Sequence, residues 1–264
     1  MAYKTLLYSE SQGMIAITLN RPDKRNAISY ELIDDLIAAL KQAAAAASAQ
    51  VVILTGAGSA FCAGMDLENL KGLLGRAPAQ NLEDSRAMAS LFRTLYDFPK
   101  PTIAAVNGAA IAGGTGLATL CDFTLAVPEA KFGYTEVRIG FVPGIVSSYL
   151  IANIGDKRAR DLLLTGRLFG AEEAHRLGLV TEIVAPDQLM ARALQLAAQL
   201  MENSPASLQT TKRLLSSYTK DQLDRQLTSA VRENAAIRQT ADFKEGITSF
   251  LEKRKPKWTT KQTS

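Results

Sequence analysis

An α/β fold is predicted by three features of the sequence. Short continuous apolar runs, VVILT at 51–55, TIAAVNG at 102–108 and FTLAV at 123–127, are bounded by turn residues and read as strands buried on both faces. Helical periodicity fills the intervals around 29–47, 81–97 and 114–121. From about 187 to 253 the pattern is almost entirely helical, with Pro205 as a break. Strands therefore alternate with helices before a helical C-terminal piece, and the composition shift near 200 divides the chain into a core domain, 1–199, and a helical region, 200–264.

Within that frame, residues 4–9 and 13–20 form two strands, with the Gln12–Gly13 step suggesting a hairpin. NRPDKRNAIS (20–29) is a polar loop. The helix starting near Ser29 carries Leu32, Ile33, Leu36, Ile37 and Leu40 at helical spacing and ends in the alanine run 43–47. KGLLGRAPAQ (71–80), rich in Gly, Pro and small residues, is expected to be a mobile lead-in to the helix at 81–97. AEEAHRLGLV reads as a short helix running into a strand, and no internal repeat period is visible.

Composition narrows the chemistry. With 264 residues, 47% of them hydrophobic and 21% charged, the chain can bury a substantial core, which excludes disorder and a disulfide scaffold. Apolar stretches are interrupted well before the roughly 18–20 residues a membrane helix needs. The opening MAYKTLLYSE has no basic segment followed by an apolar run, so a cytoplasmic protein without a membrane role is expected. Cys62 and Cys121 form no ligand pattern and His175 is the only histidine, so no metal site is expected and any Ser-His-Asp or Cys-His mechanism would depend on His175 alone. Acid–base chemistry falls to carboxylates. The net charge of +4 owes much to Lys253, Arg254, Lys255, Lys257 and Lys261, a mildly basic tail that does not by itself indicate a nucleic-acid partner.

GAGSAF (56–61) begins like a dinucleotide fingerprint, but Phe61 occupies the third glycine position, and no phosphate-binding GxxxxGK[ST] motif is present. SAFCAGMDL (59–67) and AAIAGGTG (109–116) are two Gly-rich corners, each following a buried strand. Taken singly, each is explained by a tight turn or close packing. Together they can present one backbone N–H each to a developing oxyanion. Such a hole needs an acid–base group, and Glu136 in FGYTEVRIGFVPG lies among apolar residues that raise a carboxyl pKa.

These segments occur in the order found in the crotonase superfamily, also called the enoyl-CoA hydratase/isomerase family, which the chain resembles from about Thr5 to Trp258. The resemblance rests on NRPDKRNAIS (20–29), LTGAGSAFCAGMDL (54–67), KPTIAAVNGAAIAGGTGLATLCD (100–122), KFGYTEVRIGFVPG (131–144), LLLTGRLFGAEEAHRLGLV (162–180), NSPASLQTTKRLL (203–215) and EGITSFLEKRKPKW (245–258). It implies a crotonase-like ββα spiral with a C-terminal helical trimerisation region, and a homotrimer or dimer of trimers. It places the oxyanion N–H groups on Met65 and Gly113, and CoA-contacting positions on Lys24, Arg25, Ala27, Ala63, Asp66, Leu67, Phe250 and Lys253. The implied substrate is an acyl-CoA thioester, with no cofactor beyond the CoA that is part of it.

The sequence departs from the family's hydratases at one of two glutamates. The second falls on Glu136, whereas the first falls on Gly116. A single glutamate resembles the Δ3,Δ2-enoyl-CoA isomerases, in which one carboxylate moves a proton between C2 and C4. Adding water to an enoyl-CoA and shifting its double bond therefore both remain open, as do decarboxylation, dehalogenation and thioester hydrolysis on the same enolate hole. A noncatalytic RNA-binding module is the alternative from another class. The acyl pocket is expected to draw on 68–96 and 137–149, including Phe141 and Tyr149.

Overall fold

The computed structural model describes residues 3–258; Lys261 and the other terminal residues lie outside them. The hairpin consists of β1 (Leu6–Ser11) and β2 (Met14–Leu19), paired antiparallel. After a 3-10 turn at Pro22–Lys24, α1 (Tyr30–Ala45) begins where the Ser29 side chain accepts the Leu32 N–H. Its Leu32, Leu36 and Leu40, one turn apart, are buried in the main core.

Three successive units then repeat one plan. The first is β3 (Val51–Gly56), β4 (Ala60–Cys62), α2 (Leu67–Gly72) and α3 (Pro78–Tyr96). Next come β5 (Thr102–Val106), β6 (Ala109–Ile111) and α4 (Gly113–Leu120). The third comprises β7 (Phe123–Ala126), β8 (Lys131–Gly133), a 3-10 turn at Glu136–Ile139, α5 (Gly144–Ile154) and α6 (Asp156–Thr165). The chain continues through β9 (Leu168–Gly170), α7 (Ala171–Arg176) and β10 (Glu182–Ile183) to α8 (Leu189–Met201), α9 (Pro205–Ala236) and α10 (Ala241–Leu251).

In each unit the first strand joins a sheet ordered β1-β2-β3-β5-β7-β10, and the second joins a smaller sheet ordered β4-β6-β8-β9. Pairing from β2 to β10 in the large sheet is parallel, and β3 and β5 are buried along nearly their whole length, as the apolar runs require. This is the expected ββα spiral. Its repeat leaves no sequence period because α2 and α3 lengthen the first unit while α4 alone closes the second.

The structure corrects the reading of 71–80. The end of α2, a 3-10 turn at Leu73–Gly75 and the start of α3 occupy most of it. Leu70 and Leu73 are buried against Phe243 and Ile247 of α10, so burial of these leucines organises a stretch that glycine and proline marked as loop. Among the described residues, no helix is long and apolar enough to cross a membrane.

Candidate active site

The two glycine corners meet because their backbones interlock. Gly64 has φ +89°, and a Cβ there would lie 3.1 Å from the Ile111 oxygen and 3.3 Å from the Ala112 Cβ. At Gly114 a Cβ would lie 2.1 Å from the Cys62 oxygen. Any larger residue would push the end of β4 away from the start of α4, so these glycines set the distance between the corners.

The N–H groups left facing the gap follow from local hydrogen bonding. Ile28 donates to the Gly64 oxygen at 2.7 Å and accepts from the Asp66 N–H at 3.0 Å, which leaves the Met65 N–H outside this bridge. Gly113 is the first residue of α4, where a backbone N–H has no intrahelical acceptor. Among the described residues, neither N–H donates a hydrogen bond to the protein. Ala112, immediately before it, has φ +51° and ψ −118°, a strained conformation for a residue with a Cβ, and is held by its N–H to the Gly133 oxygen at 2.7 Å. Nothing in the local sequence announced this strain.

The first loop is fastened onto this pair. Asn26, fully buried at φ +54°, donates to the oxygens of Ala57 at 2.9 Å and Ala60 at 2.7 Å and accepts from the Arg21 N–H at 2.9 Å. The sequence reading passed over Asn26 in favour of its neighbours. The Arg25 oxygen accepts the Ala63 N–H at 3.0 Å, so the loop and the first corner move as one body.

Met65, Gly113 and Glu136 line one cavity of about 230 Å³, together with Ala63 and Phe250. Glu136 opens the 3-10 turn after β8, and the Phe141 N–H closes on its backbone oxygen at 3.0 Å. Although the residue as a whole is half-buried, its Oε2 is sealed from solvent with no hydrogen-bond partner. Burial pushes the carboxyl pKa up to about 7, against a smaller opposing effect of its own backbone N–H. A carboxyl poised there can accept and return a proton near neutral pH.

Gly116, onto which the resemblance places the family's first glutamate, sits buried on α4. A Cβ at Gly116 would lie 2.9 Å from Val146 Cγ1 and 3.1 Å from Phe92 Cζ, so hydrocarbon occupies the space into which a side chain would extend. Phe92 and Val146 line the cavity there. Sequence reasoning identified the substitution but not the two residues that fill its place, because they come from α3 and α5.

The other candidate positions do not line the cavity. Lys24 and Arg25 are exposed, with Lys24 Nζ 3.9 Å from Glu68 Oε1, while Ala27 is buried. Leu67 and Lys253 are also exposed. Asp66 is buried, and burial disfavours its charge; its contact with Arg21 at 2.8 Å and the backbone N–H groups of Glu68 and Asn69 outweigh this and hold its pKa below the ordinary value. Its carboxylate is committed to Arg21 and to capping α2. Phe141 lines the cavity as expected, but Tyr149 does not: its ring packs on Tyr96 with centroids 5.0 Å apart.

Neither Cys62 nor His175 competes as a nucleophile. Cys62 is fully buried, and burial pushes its thiol up to about 12, which leaves it protonated at neutral pH. His175 lies on α7 with Nδ1 2.9 Å from the Val180 oxygen, away from the cavity.

Comparison with known proteins identifies the family. The enoyl-CoA hydratase/isomerase family profile matches residues 9–261. A Thermus thermophilus protein that carries the provisional name of enoyl-CoA hydratase is 44% identical over 94% of this chain and 98% of its own. The 1,2-epoxyphenylacetyl-CoA isomerase of Escherichia coli is 34% identical over 97% of this chain and 98% of its own. Among solved structures, an enoyl-CoA hydratase/isomerase from Xanthobacter autotrophicus superposes with a TM-score of 0.89 at 32% identity, covering 95% of this chain and 94% of that one. With its spiral fold, paired glycine corners and full-length match, the chain belongs to the enoyl-CoA hydratase/isomerase family.

Proposed function

We propose that the protein shifts the double bond of an enoyl-CoA, using Glu136 as the single acid–base. The thioester oxygen accepts the Met65 and Gly113 N–H groups, which stabilise the enolate formed when the Glu136 carboxylate removes a C2 proton. The same carboxyl, now protonated, returns that proton at C4. Atoms balance, no water is consumed, and no cofactor beyond the CoA of the substrate is needed.

The observation that carries this reading is the hydrocarbon at Gly116. A two-glutamate hydratase holds its water between two carboxylates, and here Phe92 and Val146 fill the place of one. The unpartnered Oε2 of Glu136 and its pKa of about 7 supply the one base the shuttle requires. CoA binding is assigned to Lys24, Arg25, Ala27, Ala63, Asp66, Leu67, Phe250 and Lys253, with the exposed Lys and Arg suited to phosphate. A trimer or dimer of trimers is proposed with it, supported by exposed Leu214, Leu215 and Tyr218 on α9, apolar surface that such an assembly would cover.

The test follows a 3-enoyl-CoA and a trans-2-enoyl-CoA separately, by conjugated-thioester absorbance and product mass. Conjugation gained from the first at unchanged mass is the expected result. Conjugation lost from the second with gain of one water, and no reaction of the first, would make the protein a hydratase working with one glutamate.

A further inference from the structure

The part of the cavity bounded by α3 and the end of α9 is polar in a way that double-bond migration does not require. Asp84, Met88 and Phe92 lie four residues apart on α3 and all three line the cavity. This places Asp84 about 12 Å along the helix from Phe92, which packs beside Gly113 and Gly116. None of the residues assigned to CoA belongs to this region, so it falls to the acyl group.

The cluster is built around buried charge. Arg238 and Asp84, with side chains 2% and 3% exposed, form an ion pair at 2.5 Å. Arg238 also donates from Nε to the Asn234 oxygen at 3.2 Å, and from Nη2 to Ser85 Oγ at 3.1 Å and Asn234 Oδ1 at 2.9 Å. One N–H on Nη1 is left over. Arg76 approaches the other Asp84 oxygen at 3.4 Å and stacks over the Tyr30 ring at 4.7 Å, its remaining donors unused among the described residues. The Tyr30 hydroxyl is buried, and burial together with the Asp84 carboxylate beside it holds its proton on, but it makes no hydrogen bond of good geometry among the described residues.

Tyr30, Asp84 and Arg238 all line the cavity; Arg76 lines a second hollow that shares Tyr30, Ile33 and Asp84 with it. Two guanidinium groups against one carboxylate leave the cluster one positive charge in excess. Asp34 and Glu83 on the outer rim are exposed, where water screens them. A hydrocarbon chain ending here would bury guanidinium N–H groups of Arg76 and Arg238 without partners, which is costly. An anion with acceptor oxygens would satisfy them.

We infer that the acyl group ends in a carboxylate, received by the Tyr30 hydroxyl and the free guanidinium edges of Arg76 and Arg238. The inference rests on the reading of this cavity as the acyl-CoA site.

Its test is binding, independent of turnover. Saturated acyl-CoA thioesters of matched length, about six to eight carbons to span the ~12 Å, are compared by calorimetry with methyl, hydroxyl and carboxylate ends. The carboxylate-ended ligand is expected to bind at least about tenfold more tightly than the methyl-ended one, as for hydrogen bonds to charged groups. Tyr30→Phe, which removes the hydroxyl beside Asp84, is expected to shrink that ratio at least about threefold; a merely structural Tyr30 would weaken both ends alike and leave the ratio unchanged. Equal affinity for the methyl and carboxylate ends overturns the inference while leaving the enoyl-CoA reading intact, and a hydroxyl end binding as well as the carboxylate overturns the assignment of charge. If none of the thioesters binds, the enoyl-CoA reading fails and this inference with it.

Discussion

Glu136 and Asp84 line the same cavity, and the fold treats them in opposite ways. Asp84 is spanned by Arg238 and Arg76, whereas Glu136 Oε2 is buried with no hydrogen-bond partner among the described residues. A buried carboxylate that is paired with guanidinium groups serves as framework; one left unpaired is pushed by burial toward titration near neutral pH, as Glu136 is. Placement in a cavity does not distinguish a catalytic carboxylate from a structural or binding one. The partners do.

The most severe way to break this contrast is Glu136→Gln. It keeps the shape, removes the base, and is expected to lower turnover of the reactive enoyl-CoA by about 10² to 10⁴ while binding persists. Near-full activity in steady-state assays would remove Glu136 from the mechanism. In the wild type, kcat/KM should rise with pH through about 7 and then level off, because the carboxylate form abstracts the proton.

Arg238→Met attacks the other carboxylate. It leaves Asp84 buried with only the longer Arg76 contact, and removing one partner of a buried pair costs about 3–5 kcal/mol. Denaturant titration should show that loss. Adding Asp84→Leu should recover much of it, because the stranded charge is then gone.

Glu136→Gln should also act on stability, with the opposite sign from Arg238→Met. The folded protein holds the Glu136 proton more tightly than the unfolded chain, about 7 against an ordinary 4.5, so this group's contribution is lost as pH rises through that interval. Above pH 7 the variant should be more stable than wild type by ~3 kcal/mol, with the gap closing as pH falls toward 4.5. Equal stability across this range, measured by denaturant melts at several pH values, would mean that the fold pays nothing for an unpaired carboxyl.

How much of the contrast was legible in the sequence depends on the range of the interactions. The long strands, α1 with its Ser29 cap, and the helical C-terminal region were readable because periodicity and capping are local. The three-residue strands β4, β6, β8 and β9 were not, since runs that short show no alternation, and the smaller sheet went unseen from the residues alone. At the site, glycine spacing drew attention to Met65 and Gly113, and apolar neighbours drew attention to Glu136. The strain at Ala112, the fastening by Asn26 and the Asp84–Arg238 pair depend on contacts between segments distant in sequence. Arg238 looked like any charge near the end of a long helix.

The smallest expected effect concerns Gly116, the position at which the two-carboxylate pattern of the family is reduced to one. Gly116→Ala gains helix propensity of up to about 1 kcal/mol, since glycine is the poorer helix former. Its new methyl would stand 2.9 Å from Val146 Cγ1 and 3.1 Å from Phe92 Cζ, atoms of a β-branched side chain and a ring that cannot swing aside without moving their helices. Overpacking of this kind costs about 1–3 kcal/mol, so the net loss should be ~1 kcal/mol. Val146→Ala in the same chain removes the closer clash, and the double variant should be more stable than additivity of the single changes predicts. A simple sum in thermal and denaturant melts would mean that Val146 does not fill this space, and the hydrocarbon argument for one-carboxylate chemistry would then rest on Phe92 alone.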